Sequence, residues 1–153
     1  MRIFLYIVFL IATINITSAD EPKTINAMEA QCEAGDLEGC DYLGFQYYKG
    51  KGVQQNYKKA ATLFERACDG DHARACTKLG HMYRKGEGVE KDYKKSSDKH
   101  HIACDANIAT SCLVLSVYYT NGWGVEKNLN KATNFLFKSC QIKENKYCKQ
   151  VFK

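Results

Sequence analysis

Cys32-Glu33-Ala34-Gly35-Asp36-Leu37-Glu38-Gly39-Cys40 is the stretch on which the fold turns. It returns thirty-six residues later as Cys68-Asp69-Gly70-Asp71-His72-Ala73-Arg74-Ala75-Cys76. Two further pairs follow at the same period, Cys104/Cys112 and Cys140/Cys148. All eight cysteines thus fall into four pairs, eight residues apart within each pair. A period held to the residue marks one structural unit stacked on copies of itself.

The residues after the second cysteine say what the unit is. Cys40, Leu43, Gly44 and Tyr47 recur at i, i+3, i+4 and i+7, one stripe of a helix. This predicts a helix A over residues 37–49, with Gly44 leaving room for a neighbouring backbone or ring. Gly50-x-Gly52 stops the helix and turns the chain. Asn56, Asp92 and Asn128 suit the N-cap of a second helix B in each unit. In unit one helix B buries Ala60, Phe64 and Ala67. The two helices form an αα-hairpin. Leu79, Gly80, Tyr83, Gly86, Gly88 and Val89 repeat the pattern in unit two; Leu115, Tyr119, Gly122, Gly124 and Val125 repeat it in unit three.

The expected fold is therefore all-α: an α/α superhelix of 36-residue helix-turn-helix repeats. A half unit occupies residues 24–33, full units 37–69, 73–105 and 109–141, and a truncated final helix 145–153. That makes eight helices, no strands and a right-handed arc, assembled as a monomer.

The cysteines of a pair cannot lie on one continuous helix. Eight residues at ~1.5 Å rise separate Cα atoms by ~12 Å, and a disulfide needs them within ~7 Å. The chain must reverse between them, and Ala34-Gly35-Asp36 supplies the corner. Eight cysteines allow 105 pairings, and only the four local ones keep the units equivalent. Each corner is then closed by a bridge between one helix B and the next helix A. Zinc ligands sit at Cys-x₂₋₄-Cys, haem attachment needs Cys-x-x-Cys-His and redox catalysis Cys-x-x-Cys; none occurs. No metal or cofactor is expected.

Residues 1–19 read as an export leader: Arg2, an apolar run from Ile3 to Ile16, then small residues at Thr17-Ser18-Ala19. The run falls short of the ~20 apolar residues of a spanning helix, so no membrane insertion is expected after cleavage. Residues 20–153 would then fold in an oxidising space, periplasmic or secreted. The whole chain carries +5; Arg2 leaves with the leader, so the mature charge is +4. That favours acidic partners mildly, and no nucleic-acid-binding motif accompanies it.

Leu43-Gly44-x-x-Tyr47, Gly50-x-Gly52-Val53 and Lys59-Ala60 resemble Sel-1-like repeats, relatives of tetratricopeptide repeats. With the cysteine pairs and leader, the chain looks like the Helicobacter cysteine-rich proteins. Unit three departs from the pattern with Ser116 for glycine, and unit two with Ser96 for alanine. The resemblance implies penicillin binding and weak β-lactamase activity, or a role as a secreted host-directed effector or adaptor without enzymatic activity.

A catalytic motif is hard to find. Ser96-Ser97-Asp98-Lys99 contains Ser-x-x-Lys, the nucleophile motif of serine β-lactamases, and helical spacing could bring Ser96 and Lys99 together. The companion Ser-Asp-Asn and Lys-Thr-Gly motifs are missing, and Ser96 also fills the small buried position of Ala60 and Ala132. The four histidines show no ligand motif; His100 stands where Phe64 and Leu136 pack, a half-buried structural histidine.

Binding is easier to place. In the tetratricopeptide pattern helix A lines the concave groove. Its outward stripe is Glu38, Asp41, Phe45, Tyr48 and Lys49 in unit one; Arg74, Thr77, His81, Arg84 and Lys85 in unit two; Thr110, Leu113, Val117, Thr120 and Asn121 in unit three. Arg74, Arg84 and Lys85, with His81 between, could clamp a carboxylate, while Phe45 and Tyr48 hold an apolar side chain or sugar face. Such a groove suits a protein or extended peptide ligand, its C-terminus, a peptidoglycan fragment or penicillin; the alternative is a solvated surface with no partner. Trp123, in the Gly122–Gly124 turn, either marks a contact edge or folds back on helix B.

Overall fold

The computed structural model describes residues 24–143 and Cys148. Seven helices and no strand occur among them: α1 Ile25–Glu33, α2 Leu37–Lys49, α3 Tyr57–Asp69, α4 Ala73–Lys85, α5 Tyr93–Asp105, α6 Ala109–Asn121 and α7 Leu129–Ile142. Each packs chiefly on the helix before and the helix after, as a solenoid requires. The expected leader and, apart from Cys148, the expected eighth helix lie outside the described residues.

Local chemistry sets the helix ends. The side chains of Asn56, Asp92 and Asn128 each accept the backbone N–H three residues on, at 2.9 Å. These caps start α3, α5 and α7 at the expected positions. The second glycine of each Gly-x-Gly turn has a further task. A Cβ on Gly88 would run into the backbone of Tyr57, and one on Gly124 into that of Tyr93. The turn of one unit therefore seats directly on the first residue of the preceding helix B. At the corners the middle residue is left-handed, with φ of 93° at Gly35, 65° at Asp71 and 62° at Asn107. Aspartate and asparagine are among the few side chains that tolerate this conformation.

The four local disulfides are all present: Cys32–Cys40, Cys68–Cys76, Cys104–Cys112 and Cys140–Cys148, with Cα separations of 4.5, 4.7, 4.8 and 5.6 Å. Each closes a loop worth about 2.6 kcal/mol of unfolded-state entropy. A second staple repeats alongside them. Tyr47 donates to Glu29 at 3.0 Å, and Lys59 reaches both Tyr47 at 2.6 Å and Glu29 at 3.1 Å. One unit on, Lys95 lies 5.5 Å from the Tyr83 ring, with Glu65 beside it. In the next unit His101 replaces the acid and meets Tyr119 at 3.2 Å. This interlock ties each helix B to the following hairpin.

The core is not uniform. Met28, Leu43, Phe64, Leu79 and Met82 belong to one continuous apolar cluster in the first half. A smaller cluster around Cys104, Cys112 and Leu115 sits beyond it. Near where they divide, the layer is polar: His100, Ser96, Ser97 and Ser111 are all buried. His100 is thus fully buried, not half-buried as its position alone suggested.

Candidate functional site

Helices α2, α4 and α6 share one face, bonded to one another across it. Thr77 on α4 meets Ser111 on α6 at 2.9 Å, and Tyr48 on α2 donates to Glu87, after α4, at 2.8 Å. Burial, aided by the Glu87 carboxylate, pushes the Tyr48 phenol up to about 12.

Asp41 corrects the sequence reading. Expected in the solvent-exposed stripe, it is 0 % exposed. Successive A helices lie so close that Asp41, the fifth residue of α2, faces the neighbour instead of solvent. Arg74 grips one Asp41 oxygen through two nitrogens at 2.7 Å, and Lys78 holds the other at 2.7 Å. Burial lowers the Lys78 pKa below the usual lysine range, and the Asp41 carboxylate opposes that shift. Arg74 and Lys78 stand at i and i+4 on one helix, a readable sign that two cations share an anion.

Two hollows open on this face. The first, of about 220 Å³ between α2 and α4, is lined by Phe45, Tyr48, Lys49, Phe64, Lys78 and His81. The Lys78 ammonium lies 5.2 Å from the Phe45 ring centre and 5.1 Å from that of Phe64. The second, of about 380 Å³ between α4 and α6, is lined mainly by His81, Arg84, Leu113, Val117, Trp123 and Leu136. The hollows are the same feature one repeat on: His81 and Arg84 stand in the second where Phe45 and Tyr48 stand in the first. Trp123 rests on Tyr93, ring centres 5.6 Å apart, at the start of helix B of unit two. It is still 41 % exposed and forms one wall of the second hollow.

Phe45, Tyr48 and His81 therefore meet in the first hollow, and His81 and Arg84 in the second. Arg74 is not with them. It lies ten residues before Arg84 on α4, about 15 Å along the axis, and is engaged with Asp41. Lys85 is paired with Glu87 at 3.3 Å. Arg84 alone of these three cations has no acidic partner among the described residues. His81 sits between the hollows with its ring 4.9 Å from that of His100. Burial, then repulsion from Arg84 and Lys85, lowers its pKa. Burial takes His100 down to about 3.

Ser96 and Lys99 part company. The Ser96 hydroxyl is fully buried, 2.6 Å from the Gly80 carbonyl and 2.8 Å from the Tyr118 hydroxyl. Lys99 turns outward to Asp69 at 3.2 Å. Among the described residues no three His, Cys, Asp or Glu side chains gather as a metal site.

The repeats match the Sel1 repeat profile over residues 37–72, 73–96 and 109–141. This chain belongs to the Sel1 repeat family. It is similar in structure to a Sel1 repeat protein from Oxalobacter formigenes, with TM-score 0.74 and 25 % identity over 76 % of this chain and 48 % of that one. A protective antigen of uropathogenic Escherichia coli with the SLR fold matches at TM-score 0.78 and 25 % identity, over 83 % of this chain and 27 % of that one. Cysteine-rich protein B of Helicobacter pylori matches at TM-score 0.66 and 26 % identity, over 84 % and 92 %. This Sel1 repeat chain spans about half of the Oxalobacter protein and about a quarter of the Escherichia coli antigen. No curated protein matches it. The four disulfides mark an oxidising environment for the folded chain.

Proposed function

We propose that this Sel1 repeat protein is an exported scaffold that holds an extended stretch of a partner protein across α2, α4 and α6. One observation carries the reading: two hollows of the same origin lie one repeat apart on one face. Stacked helices are spaced ~8–10 Å, and two to three residues of extended chain, at ~3.3 Å each, cover that step. Successive anchors of one peptide can thus enter successive hollows. The lining suits apolar anchors, with aromatic rings in the first hollow and aliphatic side chains in the second. The disulfides, together with the leader-like pattern of residues 1–19, support a periplasmic or secreted site of action.

The penicillin-active hydrolase implied by the resemblance would need a reachable nucleophile. The Ser96 hydroxyl is buried and already engaged, so the reading adopted is binding, not turnover. The test is an array of synthetic peptides probed with oxidised protein. Wild type should select a subset, and Val117→Glu should weaken those spots at least tenfold with an unchanged melting curve, because Val117 is 41 % exposed. Undiminished capture by Val117→Glu, or no selected peptide at all, would remove this face from consideration.

A further inference from the structure

We propose that the second hollow receives the C-terminal residue of the partner, its apolar side chain inside and its α-carboxylate on Arg84. This rests on the scaffold reading and names the ligand class of one part of that face. Leu113, Val117, Trp123 and Leu136 make the hollow apolar. No acidic side chain lines it. Of the α4 cations on this face, Arg74 and Lys78 are spent on Asp41 and Lys85 on Glu87. Arg84 stands at the hollow with no acid within reach among the described residues. A guanidinium left open beside an apolar cavity calls for an anion carried by an apolar group.

The geometry of extended chains narrows the anion. Neighbouring side chains of an extended peptide point to opposite faces. An internal acidic residue next to an apolar anchor would therefore aim its carboxylate away from the hollow. An acidic side chain placed inside would leave the apolar walls unfilled. Only the last residue of a chain carries an apolar side chain and a carboxylate on the same Cα. Of the other polar groups in the lining, Ser116 and Tyr118 carry hydroxyls, and burial followed by the charges of Arg84 and Lys85 lowers the His81 pKa; Arg84 is the one arginine or lysine that lines the hollow. The first hollow differs: its deep cation, Lys78, is already neutralised by Asp41.

The experiment uses the full oxidised protein and fluorescein-labelled hexapeptides, Gly-Ser-Gly-Ser-Gly-Leu, made as the free acid and as the C-terminal amide. Fluorescence anisotropy should show the acid binding about tenfold to a hundredfold tighter, the range of a charge-assisted hydrogen bond. Arg84→Gln should erase the difference and leave amide binding in place; Arg84→Lys should restore part of it. Equal binding of acid and amide, or a preference that survives Arg84→Gln, overturns the proposal while the scaffold reading stands. The same holds if neither hexapeptide binds but array peptides with blocked ends do. If nothing binds in either format, both readings fall.

Discussion

The junction between units one and two and the junction between units two and three share a frame and differ in the side chains packed inside it. At the first, the Phe64 ring lies against Gly44, where an added Cβ would come within 2.8 Å of it, in an apolar layer. At the second, His100 lies against Gly80 in the same way, also at 2.8 Å. Around it are Ser111 at 3.2 Å, the Ser96–Tyr118 hydrogen bond and the edge of His81. Among the described residues, the buried Nε2 of His100 and Nδ1 of His81 have no hydrogen-bond partner. One junction is apolar inside with a neutralised acid at its edge; the other is polar inside with an open cation at its edge. Disulfide corners, Gly-x-Gly turns and the Tyr–Lys interlock hold the geometry in common. The layer between the helices is then free to vary, and with it the chemistry of the hollow above.

The largest expected effect tests the weight of the apolar layer. Phe64→Ala should cost about 3–5 kcal/mol in urea unfolding. His100→Ala should cost less than half as much, because it also removes a buried nitrogen that lacks a partner among the described residues. Equal losses would mean that the two layers bear equal weight.

Acid comes next. His100 is neutral when folded, at about 3, against ~6.5 in an unfolded chain. Between those values the unfolded state binds more protons, so stability falls as pH drops from about 6.5 toward 3. Roughly 2–3 kcal/mol should be gone by about pH 4.5. Burial also lowers the His81 and His101 pKa values, adding losses of the same sign. His100→Leu, the residue type of unit three at this position, should flatten the acid limb. Hydrogen exchange at about pH 5 should open α5 and α6 before α2 and α3. An acid limb unchanged in His100→Leu would place the sensitivity elsewhere.

Smaller changes sharpen the contrast. Gly44→Ala and Gly80→Ala each crowd a ring, at ~1–3 kcal/mol, less up to ~1 kcal/mol of helix propensity regained. Guanidine melts of the two variants measure how far each layer yields. Smallest of all, Lys85→Ala should stay within ~0.5 kcal/mol, since its pairing with Glu87 is half exposed.

Much of this was readable in advance. Helix limits, caps, corners and sulfur pairing all depend on residues within a few positions of one another, and each repeats three or four times. The interlock was half legible: Tyr47 and Lys59 belong to the repeat pattern, but Glu29 comes from the preceding helix. The candidate site was less legible. Phe45, Tyr48, His81 and Arg84 could be named from their stripe on helix A. Asp41, in the same stripe, is buried, and Arg74 bends back to reach it.

Periodicity in the chain was enough to establish a disulfide-cornered ladder of paired helices, because backbone hydrogen bonds, caps and short loops are satisfied by near neighbours. Which charges remain open to a partner was settled only when the units stacked. Asp41 meets Arg74 and Lys78 across 33 and 37 residues, and Tyr48 meets Glu87 across 39. Electrostatic pairing at that range depends on how closely two helices approach, and no local pattern of residues contains that distance.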